Sequence, residues 1–345
     1  MATLRELAER TGYSAATISR ILAGDPALSG SMEARRKVLE EAGRLNYTAT
    51  RSRRGRAPKG VLRVGIAEML TPAQQLEDPF DLYLSGFVRQ GCLDRKYTAV
   101  PLESRGEGFL PPEGEPLDGM IAIGKFRPGQ IEAMEALCPQ IVFLNSSPLE
   151  SRFDSVVLNF SLGISMALEH LAELGHRSVG FIGPEWKLDD LGRRAPEVRR
   201  QLFSQQLEAR GLECRDWLLD CPMETEAAAR AVGERLSNGG TRPTALLAAN
   251  EETAIGAIRA LRLAGLDAPK DLSVVSFNDT PRSALVEPPL TSVSAHVEEM
   301  ARTALRLLRE RVALPGREPE RTVPLKVVVP SSLTVRSSTG PVPAE

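Results

Sequence analysis

The sequence predicts an α/β protein with a small head of three helices and a larger body of two lobes built on parallel sheets. Residues 3–47 contain three short amphipathic helical stretches separated by glycine-containing breaks. From residue 61 onward, apolar strand-like runs alternate with helical stretches, which is typical of parallel sheets covered by helices on both faces. About 280 residues of such alternation are too many for one sheet, so we expect two lobes.

The three helices of the head follow from capping and breaking residues. Thr3 begins a capping-box pattern for the first helix. Ser14 can cap a second helix over residues 15–22, and a third is expected over about 31–45. With a tight turn at Gly12 between the first two helices, this order predicts a helix-turn-helix motif.

Charge is distributed unevenly between the head and the body. Residues 1–60 carry 12 Lys and Arg against 6 Asp and Glu, whereas the remaining residues carry 31 against 39. The head is therefore positive and the body negative. A positive surface suits a polyanion, so the asymmetry indicates different partners for the two parts.

The polar face of the second predicted helix has the residue types that bind double-stranded DNA. Ala15 and Ala16 are short enough to let the helix approach base edges, and Arg20 can donate two hydrogen bonds to guanine. Hydroxyl groups suited to phosphate oxygens come from Thr3, Ser14, Thr17 and Ser19. The alternative is a three-helix bundle whose basic face contacts only solvent.

Residues 48–60 have the composition of a basic linker between the head and the body. They contain no apolar residue larger than alanine or proline, and five of the nine residues from 51 to 59 are basic. Further DNA contacts are expected here and just before, from Tyr47, Arg51, Arg53, Arg54 and Arg56. The alternative is a linker that contacts nothing specific.

Polar and aromatic residues near the ends of predicted strands indicate a ligand cleft in the body. Asn145, Asn250 and Asn278 follow buried strands, and the carboxyl ends of parallel strands face the crevice where ligands bind. Amides both donate and accept hydrogen bonds, which suits sugar hydroxyls, and Phe80 and Phe277 can stack on a sugar face. Each residue has a structural alternative, because such asparagines often cap helices and single aromatics are often core.

Several classes of protein are excluded by what the sequence lacks. It has no run of about 18 apolar residues and no secretory pattern, so no membrane partner is expected. The four cysteines lack metal-finger spacing, and we expect no metal, no cofactor and a cytoplasmic location. A nucleophile elbow, a phosphate-binding loop and an H-E-x-x-H motif are all missing, which argues against an enzyme.

The head carries a motif that matches a known family at many positions. The matches are Thr3-Leu4, Leu7-Ala8, Gly12-Tyr13-Ser14, Thr17-Ile18-Ser19-Arg20-Ile21-Leu22 and Leu45-Asn46-Tyr47. This segment resembles the DNA-binding head of the lactose/galactose repressor (LacI/GalR) family. The resemblance implies a head over residues 1–47 in which Ala15, Ala16 and Arg20 read the operator. It also implies a homodimer on near-palindromic double-stranded DNA.

The body resembles the same family over residues 61–340, with matches that include Gly175–Gly183, Asp271–Asp279 and Pro288–Val293. The resemblance implies a periplasmic-binding-protein-like (type I) body with a ligand cleft between its lobes. The implied boundaries are about 61–157 and 292–318 for the first lobe, and about 158–290 and 320–340 for the second.

The resemblance also implies individual effector contacts. Arg199 aligns with the family's ligand arginine, with Arg193 and Arg194 as rivals because the preceding loop is long. Segments around Asp78-Pro79-Phe80, Gly124-Lys125 and Phe277-Asn278 resemble the evolved-β-galactosidase repressors of this family. They imply that Asp78, Phe80, Lys125, Phe277 and Asn278 contact a galactoside.

One position departs from the family pattern. Members usually insert a leucine of a short hinge helix into the minor groove, but the corresponding residue here is Arg56. Gly55 and Pro58 also oppose a helix. We therefore expect less central kinking of the DNA and a steep salt dependence of binding.

Together these features predict a sequence-specific DNA-binding transcriptional repressor of carbohydrate-utilisation genes. A sugar bound between the lobes is expected to change the operator affinity. Two alternatives stay open: a regulator that responds to a purine or another small molecule, and a sugar-binding protein without a regulatory role.

Overall fold

The computed structural model describes residues 4–22, 34, 37–38, 41, 62–77, 79–110, 116–214, 216–314 and 316–342. The chain divides into two compact units, residues 1–59 and residues 60–345. Each unit is described by itself below.

In the head, two helices are joined by a tight turn as the sequence predicts. Helix α1 spans Leu4–Thr11 and α2 spans Ala15–Leu22. Gly12 has a φ of 79°, a conformation that glycine adopts without steric cost. The small core contains Leu7, Ile18, Ile21 and Val38. Only isolated positions of the predicted third helix lie within the described residues.

The first lobe of the body is a six-stranded parallel sheet with β15 (Lys326–Val329) at one edge and the strand order β15-β7-β6-β5-β1-β2. Its elements up to the first crossing are β1 (Arg63–Glu68), α3 (Pro72–Glu77), α4 (Phe80–Asp94), β2 (Thr98–Pro101), β3 (Ser104–Arg105), β4 (Gly108–Phe109), β5 (Gly119–Ile123), α5 (Pro128–Leu137), β6 (Ile141–Leu144) and β7 (Asp154–Leu158). Ile121 and Ile123 belong to the core on one face of the sheet, whereas Met120 and Ala122 belong to the core on the other. Both faces are therefore covered, which explains the continuous apolar strands.

The second lobe is a six-stranded sheet with strand order β11-β8-β12-β13-β14-β16, parallel except for β16. Its elements are α6 (Phe160–Glu173), β8 (Val179–Ile182), β9 (Trp186–Leu188), β10 (Arg194–Pro196), α7 (Val198–Ala209), β11 (Leu218–Leu219), α8 (Thr225–Ser237), β12 (Ala245–Ala248), α9 (Glu251–Leu263), β13 (Ser273–Asn278), a 3-10 turn (Pro281–Ala284), β14 (Thr291–Ser294) and, after the return to the first lobe, β16 (Ser332–Thr334). Strands β9 and β10 form a separate antiparallel hairpin.

The chain crosses between the lobes three times, at residues 158–160, 294–297 and 329–332. Helix α10 (Val297–Arg311) packs in the first lobe, and β15 (Lys326–Val329) pairs with β7 there. Two parts of the lobe boundaries expected above need correction. Strand β14 lies in the second lobe although 292–318 was assigned to the first, and β15 lies in the first although 320–340 was assigned to the second.

The two strands differ from the expected boundaries for different reasons. Strand β14 has no apolar pattern, whereas β15 reads Lys-Val-Val-Val, an apolar run that does not tell which of the two sheets it joins. Strand β14 reads Thr-Ser-Val-Ser, yet all four residues are buried, because hydroxyl groups in this strand make hydrogen bonds in the interior. One such bond joins the Thr291 and Thr339 hydroxyls at 2.8 Å. Strand β15 lies at an edge of its sheet and is largely exposed.

Among the described residues, no helix is both long enough and apolar enough to cross a membrane.

Candidate effector cavity and DNA-binding head

The start of α2 presents several of the predicted DNA contacts on the surface of the head. Ser14 caps the helix, because its Oγ accepts a hydrogen bond from the Thr17 amide at 3.2 Å. The two hydroxyl groups also lie 2.9 Å apart within hydrogen-bonding distance. Ser14 and Ala15 are exposed and Thr17 is half-buried. The first turn of α2 is therefore open to a ligand, as a helix that approaches a DNA groove requires.

The other predicted DNA contacts are described only in part. Ala16, Ser19 and Arg20 belong to helix α2, and their backbone alone is described. Outside the described residues lie Thr3, Tyr47, Arg51, Arg53, Arg54 and Arg56. Their DNA contacts stay predictions.

A cavity of about 310 Å³ lies between the two lobes of the body. Its size is at the lower end of the range of small-molecule sites. The lining residues follow the carboxyl ends of strands from both sheets or lie on adjoining loops and helices: Met69, Leu70, Gln74, Phe80, Asp81, Gly124, Lys125, Asn145, Leu158, Phe160, Lys187, Leu188, Arg199, Met223, Glu224 and Asn278. This is the position where parallel sheets place ligands.

Five of the predicted effector residues come together around this cavity: Phe80, Lys125, Asn145, Arg199 and Asn278. Of the three candidate arginines, Arg199 lines the cavity, whereas Arg193 pairs with Asp189 and Arg194 stacks on Trp186. Asp78 lies outside the described residues.

Arg199, the second residue of α7, is held in place on several sides. It is only 7% exposed, and its Nε donates to Glu197 Oε1 at 2.8 Å. Its Nη1 donates to the Ala249 carbonyl oxygen. The guanidinium lies 5.3 Å from the centre of the Phe160 ring and 5.9 Å from that of Phe277. These contacts fix a positive, planar donor group at the wall of the cavity.

Glu197 is the buried partner of this arginine, at 3% exposure. Burial by itself would raise the pKa of the Glu197 carboxyl. The charge of Arg199 and the hydrogen bonds from Arg199 and the Arg200 amide outweigh burial, so the pKa is lowered from its ordinary value. The pair is therefore ionised, and Glu197 also caps α7 through the Arg200 amide at 3.0 Å.

Lys125 follows β5 and reaches from the first lobe to the second. Its Nζ donates a hydrogen bond to the carbonyl oxygen of Leu188 in β9. Burial lowers the pKa of Lys125, whereas the nearby charge of Asp190 acts in the opposite direction. The lysine thus supplies both a contact between the lobes and a cationic group at the cavity.

The two cavity asparagines share an uncommon backbone conformation. Asn145 has a φ of 69° and Asn278 a φ of 97°. Asparagine tolerates positive φ better than most residues, and such conformations concentrate at functional sites. Both amides are placed at the strand ends by this turn of the backbone.

Two predicted effector residues do not line the cavity. The Asn250 side chain caps α9, since its Oδ1 accepts from the Thr253 amide at 2.9 Å and its Nδ2 donates to the Met223 carbonyl at 3.3 Å. Phe277 is fully buried in the core of the second lobe. Asn250 thus acts as a helix cap and Phe277 as a core residue, which are the structural alternatives given for them in the sequence analysis. A contact of either residue with an effector stays a prediction.

Sequence reasoning missed several lining residues, among them Asp81, Lys187 and Glu224. No sequence pattern separates Asp81 and Glu224 from the other carboxylates of the chain. Lys187 lies in the long loop before α7, whose length was the one sign that it differs from an ordinary connection.

Comparisons with known proteins agree with this architecture. A family model for a periplasmic binding protein-like domain matches residues 168–339. The HTH-type transcriptional repressor MelR of Bacillus subtilis (strain 168) is 31% identical over 350 residues, covering 99% of this chain and 98% of MelR. This chain belongs to the LacI/GalR family of transcriptional regulators. The predicted family and fold class are confirmed, and the chain is a DNA-binding regulator rather than an enzyme.

Solved structures of LacI/GalR-family regulators have the same fold. The chain resembles the CelR transcriptional regulator in complex with cellobiose, with a TM-score of 0.65 and 24% identity over 98% of this chain and 100% of that one. It also resembles the lac repressor dimer bound to operator and the anti-inducer ONPF, with a TM-score of 0.64 and 22% identity over 98% and 99% of the two chains. The more specific likeness to evolved-β-galactosidase repressors stays a prediction.

Proposed function

We propose that this LacI/GalR-family regulator is a cytoplasmic homodimer that represses carbohydrate-utilisation genes and changes its operator affinity when a sugar, expected to be a galactoside, binds in the interlobe cavity. The observation that carries the proposal is the set of polar groups around that cavity. Each lobe supplies an amide and a cation: Asn145 and Lys125 from the first, Asn278 and Arg199 from the second.

The balance of charge in the cavity favours a neutral, hydroxyl-rich ligand. Three cationic residues, Lys125, Lys187 and Arg199, face two carboxylates, Asp81 and Glu224. The carboxylates would repel a polyanionic ligand. Hydroxyl groups, in contrast, can donate hydrogen bonds to the carboxylates and accept hydrogen bonds from the cations. The relatives agree with this class of ligand, because CelR is solved with cellobiose and the lac repressor with ONPF.

The head would supply the operator contacts. In the proposed dimer, two α2 helices enter successive major grooves, with Ala15, Ala16 and Arg20 at base edges and Ser14 and Thr17 at phosphates. The dimer itself predicts twice the chain mass by light scattering at micromolar concentration. A tetrameric mass would contradict it.

Calorimetric titration of the full-length protein tests the ligand. Galactose, lactose, melibiose, maltose and cellobiose form one group, and hypoxanthine and guanine form a second, because Phe80 and Phe160 could also stack on a planar base. Asn145→Gly removes a cavity amide and keeps the positive φ, and Lys96→Gly is the control at another positive-φ position, outside the cavity lining. Asn145→Gly should weaken sugar binding by roughly 3- to 10-fold, which is the net loss of one hydrogen bond, and Lys96→Gly should not.

Gel-shift measurements test the regulatory role. The protein should bind a near-palindrome from its own upstream region, and the sugar found by calorimetry should change that affinity. A ligand that binds and leaves the operator affinity unchanged would support the alternative of a sugar-binding protein without regulation. Binding of a purine and of no sugar would support the other alternative.

A further inference from the structure

The hairpin β9–β10 with its turn, residues 186–196, departs from the second lobe and returns to it. The two strands pair antiparallel, with Trp186 opposite Pro196 and Leu188 opposite Arg194. The turn is held by Asp189, whose Oδ1 accepts hydrogen bonds from the amides of Leu191 and Arg193, both at 2.9 Å. We call this hairpin the strap. Its internal bonds make it a defined element and not a loose loop.

The turn of the strap is seated on the first lobe. Leu191 packs against the core cluster that contains Phe126. Gly192 lies so close to the first lobe that a Cβ added to it would be 3.0 Å from Arg127 Cγ and 3.1 Å from the Arg127 backbone nitrogen. The hydrogen bond from Lys125 Nζ to the Leu188 carbonyl adds a polar contact. The strap is thus rooted in one lobe and fastened to the other.

The strap is also a wall of the interlobe cavity. Lys187 and Leu188 line the cavity beside Lys125, which holds the Leu188 carbonyl. Any separation of the lobes must either break the contacts of Leu191 and Gly192 with the first lobe or bend the hairpin. A ligand that extends past the cavity at this wall would meet the strap.

We propose that the strap is a gate and a length filter for the effector cavity. It fastens the lobes across the cavity, has to lift for a saccharide to enter or leave, and excludes saccharides too long for the closed cavity. This inference rests on the proposed function for the nature of the ligand. The fastening of the strap to the first lobe does not depend on it.

Two matched glycine variants test the gate. Gly192 and Gly211 have φ values of 67° and 63°, so alanine causes similar backbone strain at both positions. A Cβ at Gly211 meets no atom within 4 Å, whereas a Cβ at Gly192 presses on the backbone of the first lobe. The difference between the effects of Gly192→Ala and Gly211→Ala therefore measures the contribution of the contact between the turn of the strap and the first lobe. Neither residue lines the cavity.

The measurement is stopped-flow binding of the mono-, di- and trisaccharide of β-linked galactose to the full-length protein. Relative to Gly211→Ala, Gly192→Ala should raise the dissociation rate at least fivefold. It should also raise the affinity for the trisaccharide, relative to that for the disaccharide, at least fivefold. Equal rates and equal affinity ratios in the two variants would overturn the proposal.

A second readout separates this proposal from the identity of the ligand. Amides of residues 189–193 should exchange with deuterium at least tenfold faster in Gly192→Ala than in Gly211→Ala, with no ligand added. If the wild type binds none of the three saccharides, the effector is not a saccharide of β-linked galactose, and the exchange measurement alone decides on the strap. Equal exchange in the two variants would then overturn the strap as a fastening between the lobes.

Discussion

Removal of the Arg199 guanidinium should destabilise the body strongly, because it leaves the Glu197 carboxylate buried without its charge partner. The wild-type pair has a 2.8 Å contact between Nε and Oε1, and both side chains are more than nine-tenths buried. In Arg199→Met, the carboxylate would retain the bond from the Arg200 amide as a capping contact. Loss of one partner of a buried ion pair costs about 3–5 kcal/mol. At about 2.1 cal/mol/K of unfolding entropy per residue, that corresponds to a fall in the Tm of the body of roughly 5–8 °C.

The double variant Glu197→Gln/Arg199→Met separates the lost charge partner from the lost packing. Glutamine retains an oxygen that can accept from the Arg200 amide, and it carries no charge that burial would penalise. The double variant should therefore recover most of the lost stability. Arg302→Met, which removes an exposed pair with Glu298 and Glu299, is the control and should change the free energy of unfolding by about 0–1 kcal/mol.

The same ion pair predicts opposite pH dependences of stability for the wild type and for Arg199→Met. In the wild type, the lowered pKa of Glu197 contributes stability above the pKa of the unfolded chain, and that stability is lost as the pH falls through the folded pKa. In Arg199→Met, burial without Arg199 should instead raise the folded pKa, so the variant should regain stability as the pH falls toward about 4.5. Differential scanning fluorimetry between about pH 8 and about pH 3 measures both trends, because the wild-type loss begins only below the ordinary glutamate pKa of about 4.3. A loss below about 1 kcal/mol at pH 7, or equal losses in the single and double variants, would refute the argument.

Three further predictions concern other parts of the chain. Burial lowers the pKa of His176 and of His170, so proton uptake favours the unfolded chain. Thermal unfolding curves should therefore show the stability falling as the pH drops below about 6.5. The fall should be less steep in His176→Gln. Ser14→Ala removes the cap of α2 and should destabilise the head by about 1 kcal/mol, seen as faster amide exchange in α2 with unchanged exchange in the body. The logarithm of the operator affinity should fall linearly with the logarithm of salt concentration, and each of Arg53→Ala and Arg54→Ala should reduce the slope by about 0.9 if that arginine contacts phosphate; an unchanged slope would assign the residue to a solvated linker.

The central strands of both sheets were predictable from the sequence because burial on two faces requires an unbroken apolar run. Strand β6, for example, spans Ile141–Leu144 as predicted. Strand β14 was not predictable, since its buried serines and threonines look like a loop in a sequence. The Ser292 hydroxyl accepts a hydrogen bond from the Asp279 amide at 3.2 Å. Buried hydroxyl groups need such hydrogen-bond partners, and here the partners are distant along the chain.

The same distinction applies to the cavity. Asn145 and Asn278 could be found because a polar residue directly after a buried strand lies at the cleft edge of a parallel sheet. Arg199 came from the spacing that it shares with the family. Lys187 and Leu188 could not be found, because the position of the strap is fixed by Leu191 and Gly192 against the other lobe. No local pattern in the sequence encodes such a contact.

The three crossings between the lobes are bonded to one another, which restricts how the lobes can move. The Asn159 amide donates to the Val329 carbonyl at 2.9 Å, and the Ser331 hydroxyl donates to the Asn159 carbonyl at 3.0 Å. Ser332 Oγ lies 2.9 Å from His296 Nε2. These bonds join the first crossing to the third, and the third to the second. The lobes should therefore bend about one cross-linked bundle and not slide independently.

Because the lobes bend about this bundle, the contacts of the proposed effector can be divided into those that change when the lobes move and those that do not. An effector shifts the protein between two lobe arrangements only by the difference in its affinity for them, and a typical coupling of 1–3 kcal/mol corresponds to about 5–150-fold in operator affinity. Contacts within one lobe are the same in both arrangements and contribute nothing. Only a ligand that contacts both lobes, for example Lys125 or Asn145 together with Arg199 or Asn278, gains affinity when the lobes close. The bond from Lys125 to the strap is made within the protein, so it stabilises the closed arrangement itself and is not part of that difference in ligand affinity.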